Sequence, residues 1–132
     1  MTQLVDEAAV AEFMDRFSRF YDGLLVRVAL DLPHAGESRA TVEILAQEVP
    51  NSDGPWYVVS IEIAGVSGYS FAEGKVSHRV LSEGIMIHFL GGGVFVDLAP
   101  YTDEPRDEHD IRRSYQYVVG RSCGFSVREH TE

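Results

Sequence analysis

One histidine and one aspartate stand in a stretch whose strand register the sequence itself constrains. In IMIHFLGGGVFVDL, residues 85–98, the alternating apolar residues of both strands must share the buried face, so the loop between them needs an even number of residues. A two-residue turn at 91–92 or at 92–93 meets this condition. Both turns place His88 and Asp97 together on the face opposite the apolar one. The turn at 91–92 makes them diagonal neighbours, and the turn at 92–93 makes them a directly opposed pair. This pair has the chemistry of a base with its orienting carboxylate, of two metal ligands or of an ion pair, and we interpret it as an ion pair because no nucleophile stands at a known spacing.

A second concentration of chemistry is the acidic run YTDEPRDEHDIRR at residues 101–113. Its carboxylates, with Asp107 and Glu108 at the centre, are of the type that binds divalent cations. The run lacks the glycine and the twelfth-position glutamate of a calcium loop, and its three arginines offset a cation. We therefore expect a solvated loop and no metal.

Cys123 is the only cysteine, and it lies beside Arg121 in VVGRSCGF. An arginine lowers the pKa of a neighbouring thiol and makes it reactive, whereas burial makes a thiol inert; we interpret Cys123 as a buried structural residue. The three glycines at 91–93 lack the Lys-Ser/Thr pair that follows a phosphate-binding loop. No closed set of metal ligands is present, so the sequence predicts neither a cofactor nor a structural metal.

The elements that must position these residues begin with a helix predicted from Leu4 to Phe20. Five apolar residues recur there at spacings of three and four, which is typical of one buried helical stripe. Thr2 is the expected N-terminal cap and Gly23 the expected left-handed stop. The stripe consists of Val10, Phe13, Met14, Phe17 and Tyr21.

After Gly23 the apolar period changes from 3.6 to 2, which indicates strands. Val26, Val28 and Leu30 are expected to share one face of the first of them. The last strand is expected to bend at one of the glycines at 120 and 124. Strands are predicted at 24–32, 40–49, 56–63, 75–81, 84–90, 94–99 and 115–127, with 66–71 either a short strand or an irregular edge.

These elements predict a single α+β domain spanning residues 1–132, in which one N-terminal helix packs on a curved, mainly antiparallel sheet of about seven strands. The sheet either curls over the helix or closes towards a barrel. The helix covers one face, so the polar face that carries His88 and Asp97 is either solvated or a site.

Composition narrows the classes of function. The chain has 21 acids against 11 bases, a formal net charge of −10, which disfavours nucleic-acid binding because such proteins neutralise phosphates with a basic surface. The first ten residues resemble no signal peptide, and the longest apolar stretch is shorter than the ~20 residues of a membrane span. One cysteine is compatible with a reducing compartment, so a cytoplasmic protein without membrane contact is expected.

In size, acidity and the order of one helix followed by strands, the chain resembles the small acidic bacterial proteins that neutralise toxins. That resemblance implies a non-catalytic domain whose acidic and aromatic surface meets a basic protein partner. The residues expected at such an interface are Trp56, Tyr69 and Phe71, with Asp107 and Glu108 at its rim, since aromatic residues favour interface centres.

Two further expectations stand beside this interpretation. The alternative function is a small-ligand or enzymatic domain of the cone-like α+β kind, with a pocket between helix and sheet. The second expectation is a homodimer. One helix is too narrow to cover seven strands, and the residues left open include Trp56, Val58 and Leu45.

Overall fold

A computed structural model describes residues 1–48, 53–72, 79–100 and 107–130, which form two antiparallel sheets and one main helix. In chain order the elements are β1 (Thr2–Gln3), α1 (Glu7–Arg16), β2 (Gly23–Asp31), β3 (Arg39–Gln47), β4 (Trp56–Ala64), β5 (Gly68–Phe71), β6 (Val80–Leu81), β7 (Met86–Leu90), β8 (Gly93–Asp97), α2 (Glu108–Arg112), β9 (Gln116–Gly120) and β10 (Ser122–Glu129). The larger sheet has the order β1-β10-β4-β3-β2-β6, and the smaller has the order β5-β9-β8-β7.

The α+β class and the antiparallel pairing are confirmed, but the single sheet of about seven strands is wrong. The described residues contain ten strands in two sheets, and the sheets do not close into a barrel. Most of the predicted strand 75–81 lies outside the described residues, which include only its end at Val80–Leu81.

Helix α1 is shorter than predicted at both ends. Asp6, rather than Thr2, caps it, since the Asp6 carboxylate accepts a hydrogen bond from the N–H of Ala9 at 2.8 Å. The helix ends at Arg16, and residues 18–20 follow with positive φ angles in a left-handed turn that buries Phe20 completely. The predicted stripe is buried as far as Phe17.

The polypeptide passes from one sheet to the other at Arg121, the single residue between β9 and β10. This crossing divides the predicted strand 115–127. Gly120 allows the close approach, because a Cβ there would lie 2.5 Å from Cγ2 of Ile63 and 2.7 Å from the carbonyl oxygen of Ala64. The N–H of Arg121 donates to that same carbonyl at 2.8 Å, which ties the crossing to the larger sheet.

Strand β2 contains a bulge that the alternation of its side chains did not predict. Its register against β3 shifts between Leu25 and Arg27, so one extra residue is inserted there. Leu25, Val28 and Leu30 consequently lie opposite core-facing residues of β3, while Val26 is exposed. Val26 was expected to share the face of Val28, and the bulge is the reason that it does not.

One apolar core joins α1 to the facing sides of both sheets. Strand β9 contacts β4, and β8 contacts β10, so the smaller sheet covers the middle of the larger one. Because the smaller sheet has two strands fewer among the described residues, the inner side of β2 lies beside the edge strand β5 rather than beneath it. The main core residues are Phe13, Phe17, Phe20, Val42, Ile44, Val59, Ile61, Ile87, Val94, Val96, Val118 and Phe125.

The outer side of the smaller sheet carries a second apolar cluster, in which Ile111 of α2 packs with Phe95 and Val119. Helix α2 occupies part of the region expected to be a solvated loop. It forms there because the Asp107 carboxylate accepts hydrogen bonds from the N–H groups of His109 and Asp110. Neither of the described helices has the length and apolar character needed to cross a bilayer.

Candidate functional site

The hairpin of β7 and β8 has one of the two predicted geometries. Gly91 and Gly92 form the turn, with φ angles of +59° and +79°, which suits a type I′ turn. His88 therefore lies opposite Phe95, and Asp97 lies opposite Met86. His88 and Asp97 are on one face, as predicted, but they are diagonal neighbours.

No hydrogen bond or ion pair joins His88 to Asp97, so the interpretation of an ion pair is wrong. Burial lowers the pKa of His88, the positive charge of Arg19 lowers it further, and the negative charge of Glu7 raises it. Its Nε2 atom is buried and has no hydrogen-bond partner among the described residues. The charges that act on His88 thus come from the helical segment at residues 7–19.

Asp97 is almost completely buried, and its side chain stabilises the segment that follows β8. Its carboxylate accepts a hydrogen bond from the N–H of Ala99 at 3.1 Å. Burial raises the pKa of Asp97, while hydrogen bonds from the Ser114 hydroxyl and from Ala99 lower it. These contacts indicate a structural carboxylate rather than a catalytic one.

His88 borders a groove of about 360 Å³ between α1 and β7. Its helical side is formed by Glu7, Val10 and Ala11, and its other side by residues 87–90 of β7. Strand β7 is the last strand of the smaller sheet, with a sheet neighbour on one side only among the described strands. The groove therefore combines an apolar lining with an edge strand.

The solvent-facing side of α1 adds negative charge to this groove. Glu7, Ala11 and Asp15 follow one another at intervals of four and are exposed, so they run along one side of the helix. The helix's arginine, Arg16, is engaged elsewhere, since it forms an ion pair with Glu48. Arg19, whose guanidinium lies over the Tyr21 ring, is a positive charge near the groove.

The aromatic residues expected at an interface do not form one surface. Trp56 is at the start of β4 in the larger sheet and is 43% exposed. Tyr69 and Phe71 are in β5 of the smaller sheet, where their rings stack with centroids 6.2 Å apart. Tyr69 is 44% exposed, whereas Phe71 packs against the core.

The remaining predicted residues have structural positions. Asp107 is exposed and caps α2, and Glu108 is the first residue of that helix. Cys123 is buried, as predicted, and burial raises the pKa of its thiol to about 11. A thiol with this pKa is a poor nucleophile near neutral pH.

Sequence reasoning missed two residues that border cavities, Glu7 and Gln116. Glu7 is an acidic residue in the first turn of a helix, where carboxylates are common, so its type and position gave no signal of a site. Gln116 alternates with Val118, which is fully buried, so its side chain lies on the inward face of β9. A polar residue in phase with buried neighbours was the available signal.

Within residues 1–48, 53–72, 79–100 and 107–130, no group of three or more His, Cys, Asp or Glu side chains is placed to hold a metal ion. The candidate site is the groove between α1 and β7, where the edge strand, His88 and Glu7 come together. Comparisons of the chain with protein-family models, with curated proteins and with solved structures found no match.

Proposed function

We propose that this chain is a non-catalytic, acidic protein-binding domain that receives an extended basic segment of a partner protein in the groove between α1 and β7. The observation that carries the proposal is the combination, in one groove, of an edge strand, apolar side chains and the exposed carboxylate of Glu7, with the exposed Asp15 further along the same side of α1. A bacterial toxin with a basic surface is the kind of partner that the resemblance in size and acidity implies.

Each part of the groove has a role in recognising such a segment. The edge of β7 that has no neighbour among the described strands offers main-chain hydrogen bonds to an extended chain, and the apolar side chains of the groove receive alternate side chains. The carboxylates of Glu7 and Asp15 attract the lysine or arginine side chains that alternate with the apolar side chains of the segment. The net charge of −10 speeds the approach of a basic partner. The buried state of Asp97 and Cys123 supports binding rather than catalysis.

The test uses two acetylated hexapeptides, one alternating lysine with valine and the other alternating glutamate with valine. In 0.05 M salt the lysine peptide is expected to shift amide NMR signals of residues 86–90 and of α1, and to bind less tightly in 0.5 M salt because charges are then screened. The glutamate peptide is expected not to bind.

Two double variants separate local charge from total charge. Glu7→Gln with Asp15→Asn removes two charges beside the groove, whereas Asp31→Asn with Glu62→Gln removes two exposed charges on the larger sheet. The first variant is expected to lose most of the affinity and the second to lose little. Equal loss in both variants, or equal binding of both peptides, would contradict the proposal.

A further inference from the structure

A second cavity, of about 450 Å³, lies on another side of the molecule, between the inner side of β2 and the end of β5. Among the described strands, the smaller sheet is narrower than the larger one and leaves part of β2 uncovered, which opens this cavity. Leu25, Val28 and Leu30 line it from β2, and Phe71 lines it from β5. Its volume is within the roughly 300–1,000 Å³ of small-molecule sites.

One polar side chain lines this cavity without full hydrogen bonding. Gln116 is only 5% exposed, and its Nε2 donates to the carbonyl oxygen of Ala72 at 3.4 Å. Its Oε1 is buried and has no partner among the described residues. The opposite orientation of the amide would place two acceptors together at Ala72, so the unused atom is the acceptor.

An unused buried acceptor is unfavourable, and most such groups in folded proteins have a partner. A ligand with an O–H or N–H group would supply one here. Arg27 and Arg79 also line the cavity, and the guanidinium of Arg27 is balanced by an ion pair with Glu43 at 3.0 Å. The described lining contains no carboxylate that would pair with a cationic ligand. The carbonyl of Gln116, as an acceptor, disfavours an anionic head group at the same point.

We propose that this cavity binds a neutral amphipathic small molecule, whose apolar body packs between β2 and Phe71 and whose single hydroxyl or N–H donates to Oε1 of Gln116. This site is separate from the groove between α1 and β7, and it does not depend on the function proposed for that groove. Its ligand is recognised by one hydrogen bond and by apolar shape.

The test compares two probes of almost the same shape, 4-propylphenol and its methyl ether, 4-propylanisole. Only the phenol can donate a hydrogen bond. In NMR titrations of the native protein, both are expected to shift the signals of residues 25–30 and of Phe71. The phenol is expected to bind about threefold to tenfold more tightly, as one hydrogen bond to a neutral acceptor allows.

Gln116→Met keeps the length of the side chain and removes the acceptor, so the preference for the phenol is expected to disappear while the ether binds as before. Gln47→Met makes the same change in β3, where Nε2 of Gln47 donates to the carbonyl of Gly54, and is expected to preserve the preference.

The proposal is overturned if neither probe shifts these signals, if the native protein binds both equally, or if the preference survives in Gln116→Met. The comparison of the two probes on the native protein is decisive even if Gln116→Met does not fold. Binding of the hexapeptides to the α1–β7 groove is read from different signals, so failure of either proposal can be recognised separately.

Discussion

His88 and Asp97 face the same side of the smaller sheet, yet each lies opposite a different residue of the other's strand, Phe95 for His88 and Met86 for Asp97. The offset arises because the glycine turn lies at residues 91–92, one residue earlier than the alternative. A turn at 92–93 would have placed the two side chains directly opposite one another. The carboxylate that acts on His88 is instead that of Glu7, across the groove.

The titration of His88 is expected to respond to Glu7 and not to Asp97. Because Glu7 raises the pKa of His88, Glu7→Gln should lower that pKa further below its ordinary value of 6.5. Asp97→Asn should leave it unchanged. The measurement is a pH titration of the imidazole signals by NMR, and a larger shift in Asp97→Asn than in Glu7→Gln would contradict the assignment.

The lowered pKa of His88 also predicts a dependence of stability on pH. At pH values between the pKa of His88 in the folded state and about 6.5, His88 is mostly protonated in the unfolded chain and mostly neutral in the folded chain. The contribution of His88 to the free energy of unfolding is therefore present above pH 6.5 and lost as the pH falls through this window. Chemical denaturation at pH 7.5 and pH 5 should show the loss, and a His88→Gln variant should show less of it.

Asp97 should have the opposite effect on stability. Burial raises its pKa, so the folded state holds its proton more tightly and the charged form is unfavourable at neutral pH. Asp97→Asn keeps an acceptor for the N–H of Ala99 and should raise the free energy of unfolding at pH 7 by about 1 kcal/mol. This gain should shrink as the pH falls through the folded pKa. A destabilised Asp97→Asn at pH 7 would show that the carboxylate charge is required.

The thiol of Cys123 should be inert in the folded protein. With its pKa raised to about 11 by burial, almost no thiolate is present at pH 8. Reaction with a disulfide reagent should be slow in the native state and rapid in denaturant, with a native rate that follows unfolding. Rapid, stoichiometric modification without loss of the fold would contradict this.

Phe13 should be among the most sensitive core positions. Its ring stacks on that of Phe125 at 4.1 Å between centroids, which joins α1 to β10. Phe13→Ala should lower the free energy of unfolding by about 3–5 kcal/mol. Tyr21→Ala, at a position 47% exposed, is the control and should cost well under half as much. Urea denaturation of both variants tests the difference.

The homodimer expected from the sequence stays a prediction, but a different apolar surface now supports it. The second sheet, and not a second copy, covers the middle of the larger sheet, but the outer side still carries an apolar row in which Val80 is 52% and Leu24 38% exposed. Leu45 continues that row, whereas Val58, which was expected to be open, is only 6% exposed. Sedimentation at tens of micromolar should show a dimer that Leu24→Asp returns to 14.7 kDa. A native monomer would refute the prediction.

Local patterns were sufficient for much of this fold. The stripe from Val10 to Phe17, the alternation in β3 and β4 and the even glycine turn follow from periodicity and parity, which neighbouring residues determine. The division into two sheets does not follow from these patterns. A period of two indicates that a segment is a strand, but it does not indicate which other strand that segment pairs with. The single-residue crossing at Arg121 depends on Gly120 packing against Ile63 and Ala64, residues distant in sequence.

The site was harder to predict than the fold for the same reason. Glu7 and His88 are 81 positions apart in the chain and meet only because α1 lies beside β7. The bulge at Val26 and the missing hydrogen bond of Gln116 depend on pairing and burial, which alternation alone does not reveal. The resemblance to toxin-neutralising proteins supplied a class of partner but no surface for it.

The position of β10 has a consequence for how the chain reaches its fold during synthesis. Strands β2, β3 and β4 are consecutive and can pair as soon as they leave the ribosome, whereas β1 has to wait for β10, with Thr2 pairing opposite Phe125. Until β10 arrives, β4 has an open edge and Phe13 lacks its stacking partner. Such long-range closure slows folding. Nascent chains that end before residue 122 are therefore expected to bind chaperones. Pairing of β10 is expected to be the step that releases them.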